Sequence, residues 1–465
     1  MNNKVIHPAD NVAVALDGER AGHKTALCDI PSGAPVIKYG CPIGTAVTPI
    51  RQGEPVHTNN LKTSLKTSQK YTYSPCFVQI PALETETFPG FVRADGSVGI
   101  RNELWIIPTV GCINGLAMRL AERARASLWR DTFALTHPYG CSQLGDDLTN
   151  TRKVLAALAK NPNAGGVLLL GLGCENNRMQ DQVAALGDHD ASRIFTLCAQ
   201  DVTDEDGAAW EILSALAAKL SRDERVPAPV SSLRIGLKCG GSDGFSGITA
   251  NPLIGKMTDR VVGEGGSAVL TEVPEMFGAE QLLMNRCRNR DVFEKLQAMI
   301  CDFKRYFTSA GQPVYENPSP GNRAGGITTL EEKSLGCTEK SGTAPVEAVL
   351  SYGERASVQG LSLLYAPGND MVSSTALAAA GCQMILFSTG RGTPFGCCVP
   401  TLKIASNRAL AERKPHWIDF NADTPDPSAA DGLWALILQT AGGRPTDNEI
   451  NGFRDIALFK TGVTL

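Results

Sequence analysis

No apolar stretch in the 465 residues is long enough to cross a bilayer; the longest tight run, Gly166 to Gly173, falls far short of the roughly 18 residues a membrane helix needs. The opening MNNKVIHPADNVAV lacks the apolar core of a secretory signal, so a cytoplasmic protein with no membrane partner is expected. The net charge is −4 and no basic stripe interrupts it, which leaves nucleic acid without an electrostatic footprint. Histidine is scarce, at six. No CxxC occurs, so zinc-finger spacing is absent. Internal repeats and low-complexity tracts are also missing.

What is present is an ordinary globular composition, 43% hydrophobic and 20% charged, with 14 cysteines. In a chain without an export signal these cysteines do not make a disulfide framework, and most read as small buried hydrophobes. Up to about residue 62, short runs such as NVAVAL, HKTALCDI and APVIKYG alternate with Gly, Pro and Ser turns, which predicts a small all-β module. Residues 63–90, polar and aperiodic, read as a linker. Here Lys24 and Lys38 look like solvated turn residues, while His23 and His57 lie near turns of a lobe that closes over substrate.

From Phe91 onward the texture is alternating β and α. Strand-length apolar runs occur at 104–108, 132–136, 166–171, 193–198, 233–238, 268–271, 361–365 and 384–388, with amphipathic stretches between them. This predicts an α/β fold over 91–465, a mostly parallel sheet with helices on both faces. A helical insertion is expected around 280–350, and the Gly-, Pro- and Asn-rich segment 311–336 reads as a functional or interface loop. Ligands of such sheets bind beyond the carboxyl ends of the strands. There the sequence places Cys112, His137, Cys141, Cys174, Glu175, Cys239, Ser242, Asp243, Glu272, Glu275, Asn369, Asp370 and Arg391, mostly set in glycine. Sulfur, imidazole and carboxylate converging on one rim suit a borderline metal such as Fe(II) or Zn(II), with an open position for substrate. Arg391, in a Gly-Arg-Gly turn, is a fork for a carboxylate. Gly171-Leu172-Gly173 fails as a dinucleotide loop because Asn176 replaces the third glycine. Gly255-Lys256 is no phosphate loop, being followed by Met257. Gly240–Gly244 fits a nucleophile elbow, so a serine hydrolase using Ser242 with Asp370 and His416 is the rival from another class.

The runs HPYGCSQLGDD, LLLGLGCENN, CGGSDGFSGITANPLIG, LTEVPEMFGAEQLL and FSTGRGTPFG resemble the altronate/galactarate dehydratase family of sugar-acid lyases over Phe91 to Leu465, and more loosely through HKTALCDI and VHTNNLKT. The resemblance implies an N-terminal β-clip (SAF-type) module, a Rossmann-like catalytic region and a homodimer. It implies conversion of D-altronate, or alternatively galactarate or another sugar acid, to a 2-dehydro-3-deoxy product and water in hexuronate breakdown. The implied cofactor is Fe(II), with Mn(II) or an iron–sulfur cluster as alternatives. On this reading Cys112, Cys141, Cys174 and Cys239 hold the metal, and His137, Glu175 and Glu275 do the acid–base work. Arg391, Ser242, Asp243, Asn369, Asp370, His23 and His57 bind substrate. The N-terminal module is shorter than in relatives, and Asn59 stands where they carry a second histidine.

Overall fold

A computed structural model describes residues 2–66, 70–424 and 426–465. The N-terminal module is all-β, as expected: Asn3–Lys4, Val12–Ala15, Lys24–Ala26 and Pro55–Val56 form one antiparallel sheet, and Pro35–Lys38, Cys41–Ala46 and Leu61–Lys62 another. Val12, Val36, Ile43, Ile50 and Leu61 fill its small core, which is completed by Ala279 and Leu335 from the large region. Within the expected linker, 67–69 lie outside the described residues, and the described part up to Glu86 has no regular element.

The eight predicted strands all form, but in two sheets rather than one. Glu103–Pro108, Thr132–Ala134, Ala164–Gly171 and Ile194–Cys198 make a four-stranded parallel sheet with Glu103–Pro108 and Ala164–Gly171 at its centre. Arg234–Cys239, Ser267–Leu270, Gly360–Leu364 and Met384–Thr389 belong to a seven-stranded parallel sheet, extended at its edges by Val346–Leu350, Thr401–Ala405 and Phe420–Asn421. Both sheets are covered by helices, so their central strands are buried on both faces and read as continuous apolar runs. A small antiparallel sheet, in which Val226–Pro229 pairs with Thr87–Val92, brackets the first α/β unit at the point where the chain enters and leaves it.

The two units share a core. Trp105, Ile107, Val167 and Leu169 of the first pack in one cluster with Leu377, Ile385 and Phe387 of the second. Arg101 pairs with Glu449 at 2.7 Å, and Arg454 with Glu103 at 2.9 Å, tying the same seam. The expected helical stretch holds Glu280–Met284 and the 20-residue helix Arg290–Ser309; Phe293, Leu296, Ile300 and Phe303 of the longer helix are buried in the core of the seven-stranded unit. Among the described residues no helix is long and apolar enough to cross a membrane.

Candidate active site

Strand Arg234–Cys239 lies at the centre of the larger sheet, and its last two residues set the site. Lys238 and Cys239 end the strand fully buried. Cys239 Sγ lies 3.1 Å from Glu275 Oε2 and 3.4 Å from Cys337 Sγ, and Cys337 Sγ is also 3.1 Å from the same carboxylate oxygen. Glu275 follows the neighbouring strand Ser267–Leu270, and Cys337 rides on the buried helix Leu330–Thr338. Among the described residues this is the one set of three ligating groups whose donor atoms all lie within 4.8 Å of one another.

Lysines surround it. Lys340 Nζ is 2.8 Å from Cys239 Sγ, Lys333 Nζ is 2.7 Å from Glu275 Oε1, and Lys238 contacts Glu272 while lying 2.9 Å from Asp370. A hydrogen bond from the Cys337 thiol, outweighing burial and aided by Lys340 and Lys238, brings the Cys239 thiol down to about 6, so it is a thiolate at neutral pH. The same shared proton, with burial, holds Cys337 well up. Lys333, Lys238 and Lys340 outweigh burial at Glu275 and keep it ionised. Burial, with the Cys239 and Glu275 charges, pushes Glu272 well above the carboxylate range. Glu272 also sits at φ 71°, a left-handed conformation that a non-glycine residue holds only when its surroundings fix it. A thiolate, a thiol and a carboxylate at such spacing are a suitable donor set for a borderline divalent metal, so the residues present fit a metal cofactor.

The rim above the cluster is built by glycine. A Cβ on Gly240 would stand 2.6 Å from Asp370 Oδ2, and one on Gly244 would collide with the Gly22 carbonyl of the β module. The module is docked there by charge: Lys24 and Lys38 each place Nζ 2.8 Å from Glu332, on opposite oxygens, and all three are buried. The expectation that these lysines are solvated is thereby corrected; the unpredicted Glu332, on a helix inside the glycine-rich segment, desolvates both. His57 Nε2 is 3.0 Å from the Arg323 carbonyl, and the His23 ring lies 5.7 Å from the His57 ring, so both histidines stand over the segment 321–326 at the mouth. Burial and His57 push His23 below its ordinary value. Arg391 is exposed at the same mouth, touches the Gly321 carbonyl at 3.3 Å and pairs with no carboxylate among the described residues.

Other expected site residues have different work. Asp243 is buried and accepts from Ser246, Ser406 and Asn407, fixing the loop beneath Arg391 rather than facing a ligand. Asn369 caps helix Asp370–Ala379 by accepting from Val372 N–H. Asp370 is committed to Lys238, Ser242 is buried and His416 is exposed; among the described residues no hydrogen bond joins the three side chains, so the hydrolase triad is not assembled. The single ligand set of Cys112, Cys141, Cys174 and Cys239 is corrected too, because the first three lie in loops beyond strands of the smaller sheet, whereas Cys239 ends a strand of the larger and groups with Glu275 and Cys337. His137 belongs to that smaller sheet, 2% exposed, with Nε2 2.8 Å from the Pro108 carbonyl and Nδ1 accepting from Tyr139 N–H. Burial takes it down to about 4, so it is a neutral loop anchor. Glu175 accepts from Thr109 Oγ1 and from the N–H groups of Leu172 and Gly173, which occupies its carboxylate within its own loop.

Sequence reasoning missed Lys238, Lys333, Cys337 and Lys340. A usable signal existed: a lysine inside an otherwise apolar strand, and a Lys–Cys pair at i, i+4 on the helix closing the glycine-rich segment.

A buried thiolate–carboxylate centre at the carboxyl edge of a parallel sheet, roofed by a cationic mouth, belongs to the catalytic α/β class, and comparison with known proteins makes it a hydro-lyase. Three family models cover nearly the whole chain: the altronate/galactarate dehydratase SAF domain (17–64), the D-galactarate dehydratase/altronate hydrolase second domain (90–221) and the D-galactarate/altronate dehydratase C-terminal domain (230–464). The chain is 50% identical to the altronate dehydratase of Bacillus subtilis (strain 168) and 51% to that of Escherichia coli (strain K12), each over 99% of both chains. It is 32% identical to the galactarate dehydratase (L-threo-forming) of Escherichia coli (strain K12), over 94% of this chain and 92% of the relative. The chain belongs to the altronate/galactarate dehydratase family.

Proposed function

We propose that the protein dehydrates D-altronate to 2-dehydro-3-deoxy-D-gluconate with Fe(II) as its metal. The observation that carries this reading is the Cys239–Glu275–Cys337 set, hemmed by three lysines beneath an unpaired Arg391. The reaction takes a proton from C2, expels the hydroxyl of C3 as water and lets the resulting enol rearrange to a ketone. The C2 proton is weakly acidic because negative charge develops on the neighbouring carboxylate as it leaves. Arg391 offers two parallel donors to that carboxylate, and glycines on either side let the substrate backbone approach. Lys238, Lys333 and Lys340 add a fixed positive field at the end of the strand, which needs no reorganisation as charge develops. His23, kept neutral by burial and by His57, is the proton acceptor the mouth provides. The β module, locked down through Glu332, excludes water from above. Cys239, Glu275 and Cys337 would hold the metal, which supplies Lewis-acid stabilisation of developing oxygen charge.

The test is anaerobic incubation with a panel of aldonates and aldarates plus Fe(II), measuring the 2-keto-3-deoxy product. Product from D-altronate above all others, lost on chelation and restored by Fe(II), is expected. No product from any acid, or turnover indifferent to chelator, overturns the reading.

A further inference from the structure

The smaller sheet carries a second sulfur-rich rim that the reaction above does not use. Cys112, Cys141 and Cys174 follow Glu103–Pro108, Thr132–Ala134 and Ala164–Gly171 in turn, three adjacent strands of the sheet, and all three thiols are exposed and free. The loops that carry them are laced together. Gly111 N–H donates to the Tyr139 carbonyl at 2.7 Å, Asn177 N–H to the Gly140 carbonyl at 2.9 Å, and Ser142 N–H to Asn176 Oδ1 at 2.8 Å. The Glu175 carboxylate, bonded to Thr109 at 2.7 Å, ties the Cys174 loop to the strand that precedes Cys112. These three cysteines are therefore fixed relative to one another by the fold. Each also stands just ahead of a helix N-terminus: Asn114–Ser127, Gly145–Ala159 and Met179–Leu186 begin within a few residues of Cys112, Cys141 and Cys174 in turn. Three helix N-termini at one edge favour a net-negative ligand.

The spacing discriminates between occupants. Four sulfurs around one zinc, at 2.3 Å each, stand about 3.8 Å apart. The rim thiols do not form a set within 4.8 Å of one another, whereas the buried Cys239 set does. Thiolates on a polynuclear cluster each bind a different iron and so stand farther apart than around a single ion. In the Cys141 loop, the Gln143 side chain is 2% exposed and gives its oxygen to Gly140 N–H, while its Nε2 donor has no partner. A cluster sulfide would accept it.

We infer that Cys112, Cys141 and Cys174 form a three-thiolate site for an iron–sulfur cluster, separate from the Cys239–Glu275–Cys337 centre. On binding, each thiol releases its proton to solvent and its sulfur bonds one iron. Three protein ligands leave the fourth iron of a cubane facing water, which makes such a cluster labile to oxygen.

The test is anaerobic reconstitution of the full-length protein with Fe(II) and sulfide, followed by iron and sulfide analysis, visible absorption and electron paramagnetic resonance after reduction. The expected result is about four sulfide per chain, with about four iron beyond what the protein takes up from Fe(II) alone. C112S, C141S and C174S each lose sulfide-dependent iron with unchanged circular dichroism, and C337S retains it. No iron beyond that taken up without sulfide, equal sulfide content in the triple serine variant, or loss in C337S with retention in the rim variants overturns the inference. None of these readouts depends on dehydratase turnover, so the two readings fail separately.

Discussion

Replacing Glu332 by glutamine tests how the β module is held over the site. Two ammonium groups share this one carboxylate, each at 2.8 Å, and Thr328 donates to it through N–H at 2.9 Å and through its hydroxyl at 2.7 Å. One carboxylate cannot compensate two desolvated cations. Accordingly burial brings Lys24 down to about 8, whereas Glu332 and Tyr39 raise Lys38 despite equal burial. A drop from 10.5 to about 8 means that keeping Lys24 charged at neutral pH costs about 3 kcal/mol. K24M removes that cost together with a hydrogen bond to the Gly326 carbonyl, so it should change stability by no more than about 1 kcal/mol. E332Q instead strands both cations and should cost at least the roughly 3–5 kcal/mol of breaking one buried pair. The sign of the pH effect follows. The unfolded chain holds the Lys24 proton up to 10.5 and the folded chain releases it near 8, so the wild type gains stability as pH rises between those values. Several domains make a single unfolding free energy ill defined, so the assay is the rate of limited proteolysis across 63–86, paired with thermal scans. E332Q should be cut much faster and K24M at close to the wild-type rate. If the two variants are equally damaged, or E332Q is cut no faster than wild type, the shared-carboxylate account is refuted.

Because Cys239 is a thiolate only above about pH 6, protons should compete with metal below that value; metal retained after equilibrium dialysis should fall steeply between pH 7 and pH 5, and a flat profile would count against Cys239 as a ligand. H137Q should cost about 1–3 kcal/mol of stability through its two lost hydrogen bonds while leaving the pH profile of kcat/KM in place; loss of one limb of that profile would return His137 to the chemistry.

The strands were legible in the sequence because burial on both faces forces an apolar run: Glu103–Pro108, Ala164–Gly171, Arg234–Cys239 and Met384–Thr389 could be read within a residue or two. Their division into two sheets was not. An apolar run records burial but not which strand lies beside it; here the antiparallel pair of Thr87–Val92 with Val226–Pro229 brackets the four strands that form the separate smaller sheet. That one missing fact moved three of the four expected metal cysteines to a different rim. It also made His137, whose loop position was read correctly, a neutral anchor beside the wrong sheet.

The same reasoning explains why Cys239 and Glu275 were found and Cys337 was not. The first two follow parallel strands, where the rule that ligands gather at carboxyl ends applies. Cys337 reaches the site from a helix, and nothing periodic distinguishes Leu330–Thr338: every residue in it is buried, so it presents no amphipathic face to read. A helix that is polar in sequence, with Glu331, Glu332 and Lys333 in its first turn, yet wholly buried can exist only if each charge meets a partner inside. Each does: Glu331 accepts from Thr63 and the Ser64 N–H, Glu332 holds Lys24 and Lys38, and Lys333 holds Glu275. The β module and the first residues after it therefore supply partners for two consecutive carboxylates of the helix whose next residue grips the metal-site glutamate. Removing the module would leave Glu332 uncompensated about a turn and a half from Cys337, which is why docking of the small lobe and integrity of the buried centre are one structural problem in this chain.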